Sequence, residues 1–135
     1  AEALIHIFTD GKFQMPFEIV IEKEIDEHGI EKGIKRLHQV RKDEQNYSVS
    51  ESSLFTFALA YLNNDQNEIA LKLFEQLIEY YPAYFGGYYG KAIAHKKLGD
   101  KERATQYFQH TIKLCSAQEK NVVDYSKRMI EELEK

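Results

Sequence analysis

Five histidines, one cysteine and a dense run of carboxylates are the groups of this 135-residue chain best equipped for chemistry. None falls into a reactive spacing. His6, His28, His38, His95 and His110 never form the HExxH pair that sets two imidazoles on one helical face for zinc, and no paired cysteines exist. Acids crowd between Glu22 and Glu31, where a solvated helix face explains them better than the acid–base pair of a glycosidase. Cys115 follows a helical stretch with no activating partner near it in sequence. Gly86, Gly87 and Gly90 lack the lysine and hydroxyl of a phosphate loop and suit close helix packing instead. No serine lies in GxSxG. The expectation is a chain with no catalytic residues, no metal ligands and no cofactor of its own.

The composition is that of a folded domain large enough for a sizeable core: 43% hydrophobic, 30% charged, two prolines and seven glycines. The formal charge of -4 is spread among interleaved acids and bases, so no basic stripe points to nucleic acid. Nine tyrosines could stack on bases, but without a basic groove they argue weakly for it. A single cysteine excludes an internal disulfide framework. No apolar run reaches the roughly 20 residues needed to span a bilayer, and no targeting segment is recognised, which leaves the compartment open. The start at Ala1 is that of a mature form, a trimmed form or a piece of a larger protein.

Along the chain, an apolar stretch from Ala3 to Phe8 ends in the turn signal Thr9-Asp10-Gly11-Lys12. Phe17–Ile21 is short enough to be either strand or helix. Ile25, Ile30, Ile34, Leu37 and Val40 describe an amphipathic helix, with a break at Gly29 plausible because glycine costs a helix about 1 kcal/mol. Helices are then predicted over 52–62, 67–80, 85–98, 101–114 and 117–134. Ser48 with Glu51, Asp65 with Glu68 and Ser116 with Glu119 have capping-box spacing, and Asp100 can cap its own helix. Pro82 stops one helix, and Gly99 supplies a tight turn.

A shift of 34 residues lays Leu54 on Tyr88, Phe55 on Tyr89, Ala58 on Ala92, Ala70 on Ala104 and Phe74 on Phe108. The small residues mark where helices cross, and the phenylalanines fill the space beside them. Neither unit can bury its apolar face alone, so the two must stack. Ala58, Tyr61, Ala70, Phe74, Leu77 and Pro82, then Ala92, Gly99, Ala104 and Phe108, resemble the tetratricopeptide repeat pattern. Leu54 and Tyr88 stand where that pattern often has tryptophan, Thr111 replaces a small alanine, and Ser116 replaces a terminal proline.

The resemblance implies an all-α fold: tetratricopeptide-like antiparallel helix-turn-helix repeats in a short right-handed superhelix with flanking capping helices. The expected division is a flanking segment of one or two helices over 1–50, two repeats over 51–118 and a capping helix over 119–135. The first fifty residues, through IFTDGK and the helix ending in RLHQV, also look like the linker that joins an esterase-like α/β-hydrolase to a C-terminal repeat extension. That likeness implies an accessory region, with any catalytic residues lying elsewhere.

In this family the first helix of each repeat lines a groove. By that analogy Phe55, Leu59 and Leu62, with Tyr89, Ile93, Lys96 and Lys97, are the candidate partner-binding residues. Their aromatic and aliphatic character suits a protein or peptide partner, or an adjacent domain of the same protein. Self-association through the same face is the alternative, and burial of the face as core remains open. Phe55 and Leu59 stand where repeats that clamp a terminal carboxylate carry lysine and asparagine, so that clamp is not expected.

Overall fold

The computed structural model describes residues 7–9 and 12–135, with side chains from residue 14 onward, and the chain divides into two compact units, 1–50 and 51–135. Among the described residues the fold is all-α in character, with seven helices and three short strands. The Asp10–Gly11 turn signal and most of the Ala3–Phe8 stretch lie outside the described residues.

In the first unit, β1 (Ile7–Thr9) pairs antiparallel with β2 (Lys12–Pro16), bringing Thr9 opposite Lys12. β2 in turn runs parallel to β3 (Tyr47–Ser48), with Met15 opposite Tyr47. The Phe17–Ile21 ambiguity resolves as helix: α1 spans Phe17–His28 and α2 spans Ile30–Lys42. Phe17, Ile21 and Ile25 recur every four residues and are buried, as are Leu37 and Val40 of α2. Gly29 separates the helices at φ 89°, a conformation that favours glycine. Gly33 faces α1 so closely that a Cβ there would strike the Ile25 side chain.

The second unit holds α3 (Glu51–Asn63), α4 (Asn67–Tyr80), α5 (Gly86–Lys97), α6 (Lys101–Leu114), a 3-10 turn at Ala117–Glu119 and α7 (Lys120–Leu133). Each helix packs on the next, and α3 also lies beside α5. The expected crossing residues Ala58, Ala70, Ala92 and Ala104 are fully buried, as are Phe74 and Phe108. Thr111 is fully buried with its hydroxyl satisfied, donating to the Tyr107 carbonyl one turn back at 2.8 Å. Pro82 has the expected effect: α4 ends at Tyr80, and Tyr81 takes φ -137°, ψ 70°.

The helix ends correct part of the capping scheme. Ser48 lies in β3, too early to cap α3, which begins at Glu51. Asp65 does not cap α4. The residue before that helix is Gln66, with no side-chain cap bond, while Asp65 itself has φ 61°. Its neighbours explain why. Gln66 N–H donates to Tyr61 C=O at 3.0 Å and Asp65 N–H to Leu62 C=O at 3.1 Å, which closes α3 in a Schellman motif with Asp65 in the left-handed position. One repeat later, Gly99 at φ 82° does the same for α5, with Asp100 N–H on His95 C=O and Gly99 N–H on Lys96 C=O. The other caps form as expected. Asp100 accepts from Arg103 N–H at 3.1 Å, and Ser116 with Glu119 makes a capping box, here on the 3-10 turn.

Two stability predictions follow from these contacts. Asp65→Gly removes a left-handed aspartate at the cost of one exposed ion pair, so urea denaturation should show a gain of about 0.5 kcal/mol. A loss would show that the Asp65 side chain matters more than its backbone. Gly90 lies against the Phe74 ring, where a Cβ would collide with it. Gly90→Ala should therefore destabilise by about 1–3 kcal/mol through overpacking, although the same change raises intrinsic helix propensity. A stabilised variant would disprove the close approach.

Candidate protein-interaction face

The side chains singled out for partner binding lie on α3 and α5, and the packing of those helices decides how they are displayed. Three glycines let α5 settle: a Cβ on Gly87 would strike Ile78 of α4, one on Gly90 would strike Phe74, and one on Gly86 would lie 2.9 Å from the Phe55 ring. With α5 seated this closely, Phe55 and Tyr89, equivalent positions of successive units, stack with ring centroids 6.5 Å apart and planes at 18°. Both remain partly exposed. Leu59 and Ile93, four residues further along each helix, are also partly exposed. Ile93 and Tyr89 lean on a small core of Ala92, Ala104, Phe108 and Met129.

Two of the expected residues are placed differently from these. Leu62 is fully buried and belongs to the core, so it offers no surface to a partner. Lys97 is exposed but engaged: its ammonium donates to the Leu62 carbonyl at 2.9 Å and to the Asp65 carboxylate at 3.2 Å. It thereby joins the C-terminal ends of α3 and α5. Lys96 is partly buried.

Residues not singled out by the repeat pattern extend the aromatic run. Tyr84 meets Phe55 edge-on at 6.4 Å, and Phe85 meets Tyr89 at 6.3 Å. Tyr125 of α7 meets Tyr89 edge-on at 6.1 Å, with the Arg128 guanidinium 5.5 Å from its own ring. Burial, then the Tyr125 hydroxyl and the Cys115 thiol, raise the Tyr89 pKa above its usual value. Tyr84 precedes the helix predicted over 85–98, and Phe85, expected to open that helix, stands just before its observed start at Gly86. Tyr125 could have been found by noting that Tyr125-Ser126 repeats the order Tyr89-Gly90, an aromatic followed by a small buried residue.

Groups that could do chemistry do not gather at this face. The Cys115 thiol is raised above its usual pKa by burial and then by Glu119, the reverse of what an activated nucleophile needs. Among the described residues, no three of His, Cys, Asp and Glu come together in a metal-binding cluster. Nor, among them, is any helix long and apolar enough to cross a membrane. His110 stacks on Tyr88 at 3.9 Å, and His95 stacks on Tyr107 at 5.4 Å.

Residues 52–84 and 86–118 each match a family model described as tetratricopeptide repeat. Both segments are tetratricopeptide repeats. No curated protein matches the chain in sequence. The two matched segments coincide with the helix pairs α3–α4 and α5–α6, so the repeats are helical hairpins stacked in register. Tetratricopeptide repeats serve as helical modules for protein interaction, which is the level at which the family describes this chain.

His95 makes one repeat sensitive to pH. The residue is 8% exposed, and Nδ1 lies 3.8 Å from Asp100 Oδ2. Burial holds its pKa below the usual value, opposed by Asp100 and then reinforced by Lys91 and Arg103, with Glu75 opposing more weakly. The unfolded chain therefore takes up this proton more readily than the folded one. The stability contribution is whole above the unfolded histidine pKa of about 6.5 and is lost as pH falls from there through the folded pKa. Urea midpoints measured from pH 7.5 down to 5 should decline in the native chain and decline less in His95→Gln. Equal slopes would remove His95 as a cause.

Proposed function

We propose that this chain binds a protein segment along the first-helix face of its repeats, through Phe55, Leu59, Tyr89, Ile93 and Lys96, with Tyr125 continuing the strip, and that it does so without catalysis of its own. The observation that carries the reading is the stacking of Phe55 on Tyr89. Two partly exposed aromatic rings at equivalent repeat positions make a continuous apolar and polarisable strip. Aromatic side chains of this kind supply contact area at low entropic cost and dominate binding energetics in protein interfaces. The partner is a polypeptide with apolar or aromatic anchors. The likeness of the first fifty residues to a hydrolase linker makes an adjacent hydrolase domain one candidate for it.

Peptide display against the immobilised chain tests the reading. Selected peptides should be rich in apolar and aromatic residues and should lose about tenfold or more in affinity for Tyr89→Ala, as truncation of an interface anchor does. Leu59→Gln, a gentler change, should also weaken them, and circular dichroism of each variant controls for folding. Failure of both substitutions to alter binding would place the partner surface elsewhere. Sedimentation across a concentration series separates the alternative: a monomer throughout counts against self-association, whereas a dimer abolished by Tyr89→Ala assigns the face to a second copy.

A further inference from the structure

One cleft of the repeat unit lies at the end where the loop between α4 and α5 meets the start of α3 and the 3-10 turn. It encloses about 320 Å³ and is lined in part by Glu51, Pro82, Tyr84, Phe85, Leu114 and Glu119. Apart from its two acids the lining is aromatic and aliphatic, with the Tyr84 and Phe85 rings 5.0 Å apart. Its charged groups are both carboxylates. Glu119 accepts from the Ser116 backbone N–H at 3.0 Å, which leaves its charge in place, and neither it nor Glu51 is paired with a lysine or arginine among the described residues. The two acids act on the same spot: after burial itself, Glu51 and then Glu119 raise the Tyr84 phenol above its usual pKa.

We propose that the cleft framed by Glu51, Tyr84, Phe85 and Glu119 is a binding site for a basic side chain of a polypeptide partner, arginine foremost. Aromatic faces attract a cation through their quadrupole, and carboxylates in the lining supply the opposite charge. A guanidinium suits both demands, because it is planar, stacks on rings and is less strongly hydrated than an ammonium. Tyr84 links the cleft to the strip above, since its ring also meets Phe55. A segment lying along Phe55 and Tyr89 can therefore place a basic residue here. This deepens the interaction reading and rests on it for the source of the side chain.

The test is a nuclear magnetic resonance titration of the whole chain with Nα-acetyl-arginine amide, with Nα-acetyl-norleucine amide and calcium chloride as comparison probes. Arginine amide should produce saturable shifts at the Tyr84 and Phe85 rings and at the Glu51 and Glu119 amides. Norleucine amide should not. The double variant Glu51→Gln/Glu119→Gln should bind arginine amide at least about fivefold more weakly, since charge assistance is lost while glutamine preserves the capping box. Unchanged arginine binding in a double variant with a native-like amide spectrum overturns the proposal. So does an equal response to norleucine amide, which would make the cleft merely apolar, or to calcium, which would make it a simple acidic patch. Loss of the arginine shifts with display-selected peptides still dependent on Tyr89 overturns this inference alone and leaves the face intact.

Discussion

The repeat unit depends on how closely α5 can approach α4. Phe74 is fully buried and its ring lies where a side chain at Gly90 would be. A phenylalanine opposite a glycine fixes the separation of two helices more firmly than two medium-sized residues would. The ring cannot be compressed, and a glycine has no rotamer through which to give way. Tyr89 is the preceding residue on the same helix, turned about 100° from Gly90 by helical geometry. Seating Gly90 on Phe74 therefore aims Tyr89 toward Phe55 of α3, and the 6.5 Å stack follows. An internal packing constraint sets an external surface.

The same arrangement recurs one step along. Phe108 is buried and meets both Tyr89, at 6.4 Å, and Tyr125, at 6.2 Å, which also meet each other at 6.1 Å. Ser126, fully buried, supplies the small residue on α7 that Gly90 supplies on α5, and α7 packs on α6 as α5 packs on α4. The last helix thus does more than shield an apolar face. It adds a third aromatic to the strip, though Tyr125 meets Tyr89 edge-on where Phe55 stacks on it. Its outward residues Lys120 and Asp124 pair with each other at 2.9 Å, a surface contact that contributes little to stability.

Much of the scaffold was legible in the sequence because its causes are local or periodic. Helix periodicity, the alanines at the crossings, Pro82 and Gly99 each act through one or two residues, and the 34-residue shift links them. What escaped depended on neighbours distant in sequence. Asp65 has capping-box spacing with Glu68, yet the end of α3 claims it first, and only the backbone angle reveals which helix it serves. Leu62 and Lys97 occupy groove-like positions in the repeat, but one is wholly buried and the other reaches back to the Leu62 carbonyl. Tyr84 lies in a connection where no period applies, and Phe85 falls one residue before α5, so their place beside Phe55 and Tyr89 is a consequence of tertiary packing.

This division follows from what a repeat pattern encodes. Positions that recur are those that must satisfy the same packing problem in each unit, and they are consumed by burial: Ala58 and Ala92, Ala70 and Ala104, Phe74 and Phe108. Residues free to vary are those that packing does not require, and recognition has to be written there. Phe55 and Tyr89 sit at the boundary, since each is partly buried by its neighbours and partly exposed. Their rings are held by the scaffold before any partner arrives. Preorganised aromatic surface loses less conformational entropy on binding than side chains that must first be ordered. The rigid core and the available face are thus two outcomes of one close helix crossing.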